Sequence, residues 1–96
     1  MRPSEALRLH RKEIRQIVEE HHAHNPRVFG SVLHGTDIDG SDLDLLVEPT
    51  AKTTLMDIGA IRYKLHELLG VTVDVLTPKA LPARFKAQVL SEAAPV

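Results

Sequence analysis

The sequence predicts an α/β fold in which a small mixed sheet of three strands carries helices packed on one face. Two long segments, 4–22 and 55–69, repeat apolar residues at the spacing of a helix that buries one side. Between and after them come short runs rich in Leu and Val, 43–47 and 71–76, each bounded by residues that favour turns. Strands that alternate with helices in this way predict a layered fold with one hydrophobic core.

The first helix is expected to begin with Ser4 as its N-cap, followed by Glu5, whose charge suits a helix N-terminus. Asn25-Pro26 then ends the helix, because the residue before a proline avoids helical backbone angles. Val28-Phe29 form a short strand that leads into Gly30-Ser31. The buried side of the helix is predicted from residues three or four apart, namely Leu7, His10, Ile14, Ile17, Val18 and His21.

The middle of the chain changes from a helical turn to a loop and then to a strand. Val32-Leu33 continue as a helical turn, and residues 35–41 hold Gly, Asp, Thr and Ser, the composition of a loop. Asp37 and Asp39 are therefore expected to be solvated loop residues. Leu43 to Val47 is predicted to be the second strand, because it is rich in Leu and Val and is followed by Glu48-Pro49.

The next helix carries signals at both ends. Thr54 and Asp57 have the spacing of a capping box, and Gly70 stands where the left-handed residue after a helix belongs. The apolar residues between them fall on one helical face: Leu55, Ile58, Ile61, Leu65, Leu68 and Leu69.

A third strand and a last helix complete the prediction. Residues 71–76 alternate and are rich in Val, so they predict a strand that Thr77-Pro78 ends. Pro82 suits the first turn of the last helix, whose inward residues are predicted to be Phe85, Val89 and Ala93.

Composition narrows the classes of function. The 96 residues suffice for one domain, so we expect a single domain over residues 1–96. A net charge of −1 and only three aromatic residues argue against a direct nucleic acid-binding surface. The chain has no cysteine, no apolar signal segment and no run long enough to span a bilayer. We therefore expect a cytoplasmic protein that does not contact a membrane.

The most informative feature is Gly30-Ser31, followed by ten residues and then Asp42-Leu43-Asp44. Side chains two apart on a strand share a face, so Asp42 and Asp44 are expected side by side, about 7 Å apart along the backbone. Such carboxylates repel each other unless a cation lies between them, and Mg²⁺ is usually bound by one or two carboxylates plus substrate phosphates. Gly30-Ser31 offers open backbone and a hydroxyl to a phosphate. The combination predicts a metal-dependent enzyme that acts on a nucleotide.

This pattern resembles the nucleotidyltransferase superfamily, whose members share the palm of DNA polymerase beta, and within it the minimal nucleotidyltransferase group. Members carry a Gly-Ser pair, a spacer of similar length, Asp-x-Asp and a third acidic residue on a later strand. Here the third candidate is Asp74, in the predicted strand 71–76. The group usually has Arg at the fifth position of Gly-Ser-x-x-Arg-Gly, where this chain has His34, and Ser41 precedes the Asp-x-Asp pair.

The resemblance implies a role for each matching residue. Three carboxylates would be catalytic and would bind Mg²⁺, with two ions during catalysis: Asp42, Asp44 and Asp74. The third of these would also be a candidate general base for the acceptor hydroxyl. ATP would be the nucleotide donor, bound by Gly30, Ser31, His34 and Ser41.

The same resemblance implies a partner. MntA-type members of the group pair with HEPN-family RNase toxins and transfer AMP from ATP to a toxin tyrosine, which would make this chain an antitoxin in a hetero-oligomer. Its length leaves little room for a lobe that holds another acceptor, and apolar residues on several sides of the last helix predict docking anchors: Leu81, Val89 and Leu90. Two alternatives stay open. In the first, the chain is an antitoxin that blocks the toxin only by binding. In the second, it is a free-standing transferase for a small hydroxylated acceptor.

Overall fold

The computed structural model describes all 96 residues and follows the predicted order of helices and strands, with two short additions. The additions are a 3-10 turn after the third strand and a brief strand at the C-terminus. In chain order the elements are α1 (Pro3–Glu20), β1 (Ala23–Phe29), α2 (Gly30–His34), β2 (Leu43–Pro49), α3 (Leu55–Leu69), β3 (Val73–Leu76), the 3-10 turn (Pro78–Ala80), α4 (Ala83–Glu92) and β4 (Ala94–Pro95).

The sheet is mixed, as predicted, but has four strands rather than three, in the order β3-β2-β1-β4. Strand β2 lies antiparallel to β1 and parallel to β3, and β4 pairs antiparallel with β1. The fourth strand exists because the C-terminus returns to the sheet, where the Val96 N–H donates to Pro26 O at 3.0 Å. Arg15 Nη1 also donates to Val96 O at 3.0 Å. Two residues are too few to show alternation, so the sequence does not reveal this strand.

One face of the sheet forms the core with α1 and α3. Alternate residues of β2, namely Leu43, Leu45 and Val47, are fully buried there, as strand geometry requires. Helix α1 contributes Ile14 and Val18, which are also fully buried. The core on this face comprises 15 buried residues that pack together, so β2 is held rigidly along its length.

The opposite face carries the intervening residues and is covered in part by α4. Asp44 lies opposite Phe29 of β1 in the ladder, and Leu46 lies opposite Leu76 of β3. Phe29 and Leu76 line a cleft whose other wall is α4. Helices α1 and α3 thus pack on one face of the sheet, as predicted, and α4 borders the other face along this cleft. Helix α4 contributes no buried residue.

Helix α1 begins at Pro3 instead of Ser4. Arg2 is the N-cap, and the Ser4 N–H donates to Asp37 Oδ2 at 2.8 Å. Asp37 is 5% exposed and is the one charged side chain among the buried residues. The expectation of a solvated Asp37 is therefore wrong. Its carboxylate accepts an N–H from the first turn of α1, where negative charge is also favoured by the helix dipole.

Strand β1 starts earlier than the sequence indicates. Helix α1 ends at Glu20, and the chain reverses at His22, whose φ is +61°. Asn25-Pro26 does not separate a helix from a strand but lies within β1, where the register with β2 shifts between His24 and Arg27. A proline is tolerated at such a bulge because it has no N–H to leave unpaired.

Helix α3 confirms both predicted ends. Thr54 Oγ1 accepts the Asp57 N–H at 3.2 Å, and Asp57 Oδ2 accepts the Thr54 N–H at 2.9 Å. Gly70 closes the helix with a φ of +69°. None of the helices is both long enough and apolar enough to cross a membrane.

Candidate functional site

The parallel pairing of β2 with β3 brings two aspartates together. Asp44 is the direct partner of Asp74 in the ladder, and both lie on the face opposite the α1–α3 core. Asp42 lies just before β2, close enough to Asp44 for its negative charge to act on that carboxyl group. Asp44 is half-buried, whereas Asp42 and Asp74 are exposed. The three carboxylates predicted from the sequence therefore line one edge of the open face.

The charges of these carboxylates affect one another. Burial, together with the negative charges of Asp74 and Asp42, raises the pKa of Asp44 to about 6. A carboxylate whose neighbours resist its ionisation is stabilised when a cation binds beside it. This group of acids thus fits a divalent metal site on electrostatic grounds.

The number of protein ligands also bears on such a site. No three acidic or histidine side chains of the chain converge closely enough to enclose a metal ion on their own. Mg²⁺ does not require an all-protein cage, because it retains several waters and commonly takes one or two carboxylates plus substrate phosphates. The donor set present therefore suits an ion that arrives with a nucleotide.

Gly30 makes room for the central carboxylate. Its φ is +72°, and a Cβ at this position would overlap Asp44 Oδ2. Any other residue would be strained in this conformation and would also collide with the carboxylate. The glycine of the Gly-Ser motif is thus explained by direct contact with the Asp-x-Asp motif, a contact that sequence spacing alone does not reveal.

Two of the predicted nucleotide-binding residues, Ser31 and Ser41, are sequence neighbours of Gly30 and Asp42. Ser31 is half-buried in the first turn of α2. The backbone N–H groups of a first turn have no hydrogen-bond acceptor within the helix. Ser41 Oγ accepts the Ile38 N–H at 3.0 Å, which shapes the loop and leaves its own O–H available as a donor. The loop places Ser41 directly before Asp42.

His34 contacts a different element. Its Nε2 is 3.1 Å from Glu92 Oε2, so the end of α2 contacts the end of α4. Glu92 was not among the predicted site residues. No local motif marks it, because the contact joins residues 58 positions apart.

The cleft beside Gly30 was also missed. It has a volume of about 420 Å³ and is bounded by α4 on one side and by the open face of the sheet on the other. Its residues are Phe29, Gly30, His34, Leu76, Leu81, Pro82, Phe85, Gln88, Val89 and Glu92. The predicted inward direction of Phe85 and Val89 was the only signal for it.

Comparisons with known proteins agree with this geometry. Residues 8–96 match the family model described as "Nucleotidyltransferase domain". The chain is 34% identical over 86 residues to the "Putative protein adenylyltransferase MJ0435" of Methanocaldococcus jannaschii, covering 90% of this chain and 92% of that protein. Its fold matches the solved "Structure of putative minimal nucleotidyltransferase" with a TM-score of 0.86 and 41% identity, over 97% of this chain and 95% of the other.

A more distant structure shows the same fold. The chain superposes on a chain from the "Crystal structure of the toxin-antitoxin with AMP-PNP" with a TM-score of 0.71 at 17% identity, covering 97% of this chain and 71% of the other. The family match spans both the Gly-Ser pair and all three aspartates. The chain therefore belongs to the nucleotidyltransferase domain family.

Proposed function

We propose that residues 1–96 act as one Mg²⁺-dependent protein adenylyltransferase domain. It transfers AMP from ATP to a tyrosine hydroxyl of a cognate HEPN-type toxin in the cytoplasm and thereby acts as an antitoxin. The observation that carries the proposal is the pairing of Asp44 with Asp74 across β2 and β3, with Gly30 packed against Asp44. Two comparisons support it: a relative named as a protein adenylyltransferase, and a fold shared with a toxin-antitoxin protein that was crystallised with AMP-PNP.

The residues of the proposed site have separate roles in binding the metal and the phosphates. Asp42, Asp44 and Asp74 would hold the metal together with phosphate oxygens of the nucleotide, and the metal would supply positive charge that favours phosphoryl transfer. Backbone N–H groups at Gly30-Ser31 and the Ser31 hydroxyl hold the terminal phosphates. The Ser41 O–H is oriented by its contact with the Ile38 N–H and donates to the same phosphates.

The transfer is a displacement at the α-phosphorus of ATP. The tyrosine oxygen of the partner attacks the α-phosphorus of ATP, and the bond from that phosphorus to the bridging oxygen breaks. Pyrophosphate leaves with the electron pair of the broken bond. Asp74 takes the proton of the attacking hydroxyl, because it is exposed on the edge strand β3 and is accessible to an acceptor from solution.

The surface offers apolar residues to a protein partner. The most exposed apolar side chains lie outside α4: Leu55 is 91% exposed and Met56 is 85% exposed, both at the start of α3. The anchors predicted on the last helix differ from this, since Leu81 is 5% exposed and precedes the helix, while Leu90 is 37% exposed. Exposed apolar side chains of this size commonly mark protein interfaces, which supports a hetero-oligomer.

The test compares transfer with binding. Labelled ATP, Mg²⁺ and the co-encoded partner are incubated with wild type, Asp74→Asn and Asp39→Asn. Asp74→Asn is expected to bind the partner normally but to lose about 10²–10⁴-fold in transfer rate, the cost of removing a positioned base. Asp39 is a matched control because it is a loop acid that is 81% exposed and pairs with the N-terminal amine. Normal transfer by Asp74→Asn would contradict the proposed role of this residue.

The same assay separates the two alternatives. An antitoxin that acts only by binding would neutralise the toxin equally well with Asp42→Ala and Asp44→Ala combined. A free-standing enzyme would transfer AMP to a small hydroxylated acceptor with no partner present. The proposal expects neither result, because it requires both the carboxylates and the partner hydroxyl.

A further inference from the structure

We infer that the cleft between α4 and the open face of the sheet binds the purine base of the nucleotide donor, with Phe85 as the stacking residue. This inference rests on the proposed function, since it assigns the base of the nucleotide whose phosphates lie at Gly30-Ser31. It goes further by making α4, which carries none of the three candidate metal-binding aspartates, the element that binds the base.

The cleft adjoins the phosphate site. The backbone of Gly30 lines the cleft. Gly30 is also so close to Asp44 that a Cβ there would overlap the carboxylate. Leu76 lines the cleft on β3, two residues beyond Asp74. Gly30 lines this cleft and neither of the other two pockets. A nucleotide whose phosphates lie beside Gly30 and the carboxylates therefore has its base within reach of this cleft.

The lining suits a flat apolar ring with polar edges. The cleft measures about 420 Å³, within the range of roughly 300–1,000 Å³ that is usual for small-molecule sites. Its walls are Phe29 and Leu76 from the sheet and Phe85 and Val89 from α4. Gln88 and the His34–Glu92 pair provide polar groups at its boundary.

Phe85 is placed for stacking. It is 44% exposed although it lines the cleft, so part of its ring is free to be covered. The Arg84 guanidinium lies over this ring, 4.6 Å from its centroid, and this cation–π contact orients the ring. Arg84 does not line the cleft, so the ring remains accessible from the cleft.

Binding measurements with two probes test the assignment. Affinities for MgATP and for Mg²⁺-tripolyphosphate, which has the phosphates but no base, are measured by calorimetry on wild type, Phe85→Ala, Phe85→Tyr and Leu90→Ala. Phe85→Ala is expected to weaken MgATP binding about tenfold or more, the order of effect of losing an aromatic stacking partner, while tripolyphosphate binding is unchanged. Phe85→Tyr keeps the ring and is expected to retain the wild-type affinity. Leu90→Ala is the matched control, an apolar truncation on the same helix outside the cleft.

The outcomes separate this inference from the proposed function. If wild type binds tripolyphosphate as tightly as ATP, or if Phe85→Ala binds ATP normally, the base lies elsewhere and only the assignment of the cleft is overturned. Equal losses for ATP and tripolyphosphate in Phe85→Ala would overturn it as well, because they would indicate a structural effect. If wild type shows no metal-dependent binding of either probe, the phosphate site itself fails, and the proposed function fails with it.

Discussion

Asp44 holds a charge that its surroundings disfavour when no cation is present. The residue is half-buried between two other carboxylates, and burial together with the negative charges of Asp74 and Asp42 raises its pKa to about 6. The ordinary pKa of an aspartate is about 3.9. The folded state therefore retains this proton to higher pH than the unfolded state does, so the raised pKa lowers stability as pH rises from about 4 to about 6.

We expect Asp44→Asn to stabilise the protein at pH 8 in metal-free buffer and to have no such effect at pH 4. A difference of one unit in pKa corresponds to about 1.4 kcal/mol of stability. Because Asp44 is only partly buried, solvent screening reduces the expected gain in the free energy of unfolding to about 1 kcal/mol. For a domain of this size that corresponds to a rise in melting temperature of roughly 4–8 °C. Thermal melts at both pH values check it, and an equal rise at pH 4 would show that the charge is not the cause.

Gly30 leaves no room for a side chain beside Asp44. We expect Gly30→Ala to abolish MgATP binding, because a Cβ there would displace the Asp44 carboxylate and the residue would be strained at a φ of +72°. Gly35 is the matched control. It has the same φ of +72°, yet a Cβ there meets no atom within 4 Å. Calorimetry should therefore show lost binding for Gly30→Ala and retained binding for Gly35→Ala, although both variants lose some stability.

At the scale of elements, one hydrogen bond joins the start of α1 to the loop that ends at Asp42. Asp37 accepts the Ser4 N–H, and this contact holds the pKa of Asp37 below its usual range. Within the loop, Ile38 and Ser41 form two hydrogen bonds with each other, and the N-terminal amine pairs with Asp39. The position of this loop therefore depends in part on the start of α1, 33 residues before Asp37.

We expect Asp37→Asn to lower the melting temperature by several degrees at pH 7, because the neutral amide is a weaker partner for the helix N-terminus. A lowered pKa contributes stability above the ordinary pKa, near 4, and that contribution is lost as pH falls below it. The difference between wild type and variant should thus shrink below about pH 4. Asp39→Asn, in the same loop but exposed, serves as the control for charge alone. A difference that persists at low pH would indicate lost packing instead.

At the scale of the whole molecule, the sequence predicts what depends on local periodicity. Helix α3 with both caps and strands β2 and β3 follow from spacing within a few residues. The approach of Asp74 to Asp44 instead depends on the pairing of β2 with β3, whose residues are far apart in the sequence. The family of the chain also follows from one short motif, and the comparisons confirm it. The roles of the individual residues in metal and nucleotide binding remain predictions.

The features that the sequence did not reveal depend on contacts between distant residues. The sequence does not reveal that Asp37 is buried, because its partner, Ser4, is 33 positions away. Strand β4 has two residues and is defined only by its pairing with β1. The position of α4 on the second face depends on the direction in which the chain leaves β3 through Pro78–Ala80, which no periodicity encodes.

The lack of buried side chains in α4 has a consequence for local unfolding. A helix held by few buried contacts opens at a free energy well below that of the global transition. Its backbone amides should therefore exchange with deuterium much faster than those of β2, where Leu43, Leu45, Leu46 and Val47 are all fully buried. If the cleft under α4 takes up part of the nucleotide, saturating MgATP should slow exchange in residues 83–92 and leave β2 almost unchanged. Exchange in α4 as slow as in β2 before any ligand is added would show that the helix is docked independently of what the cleft contains.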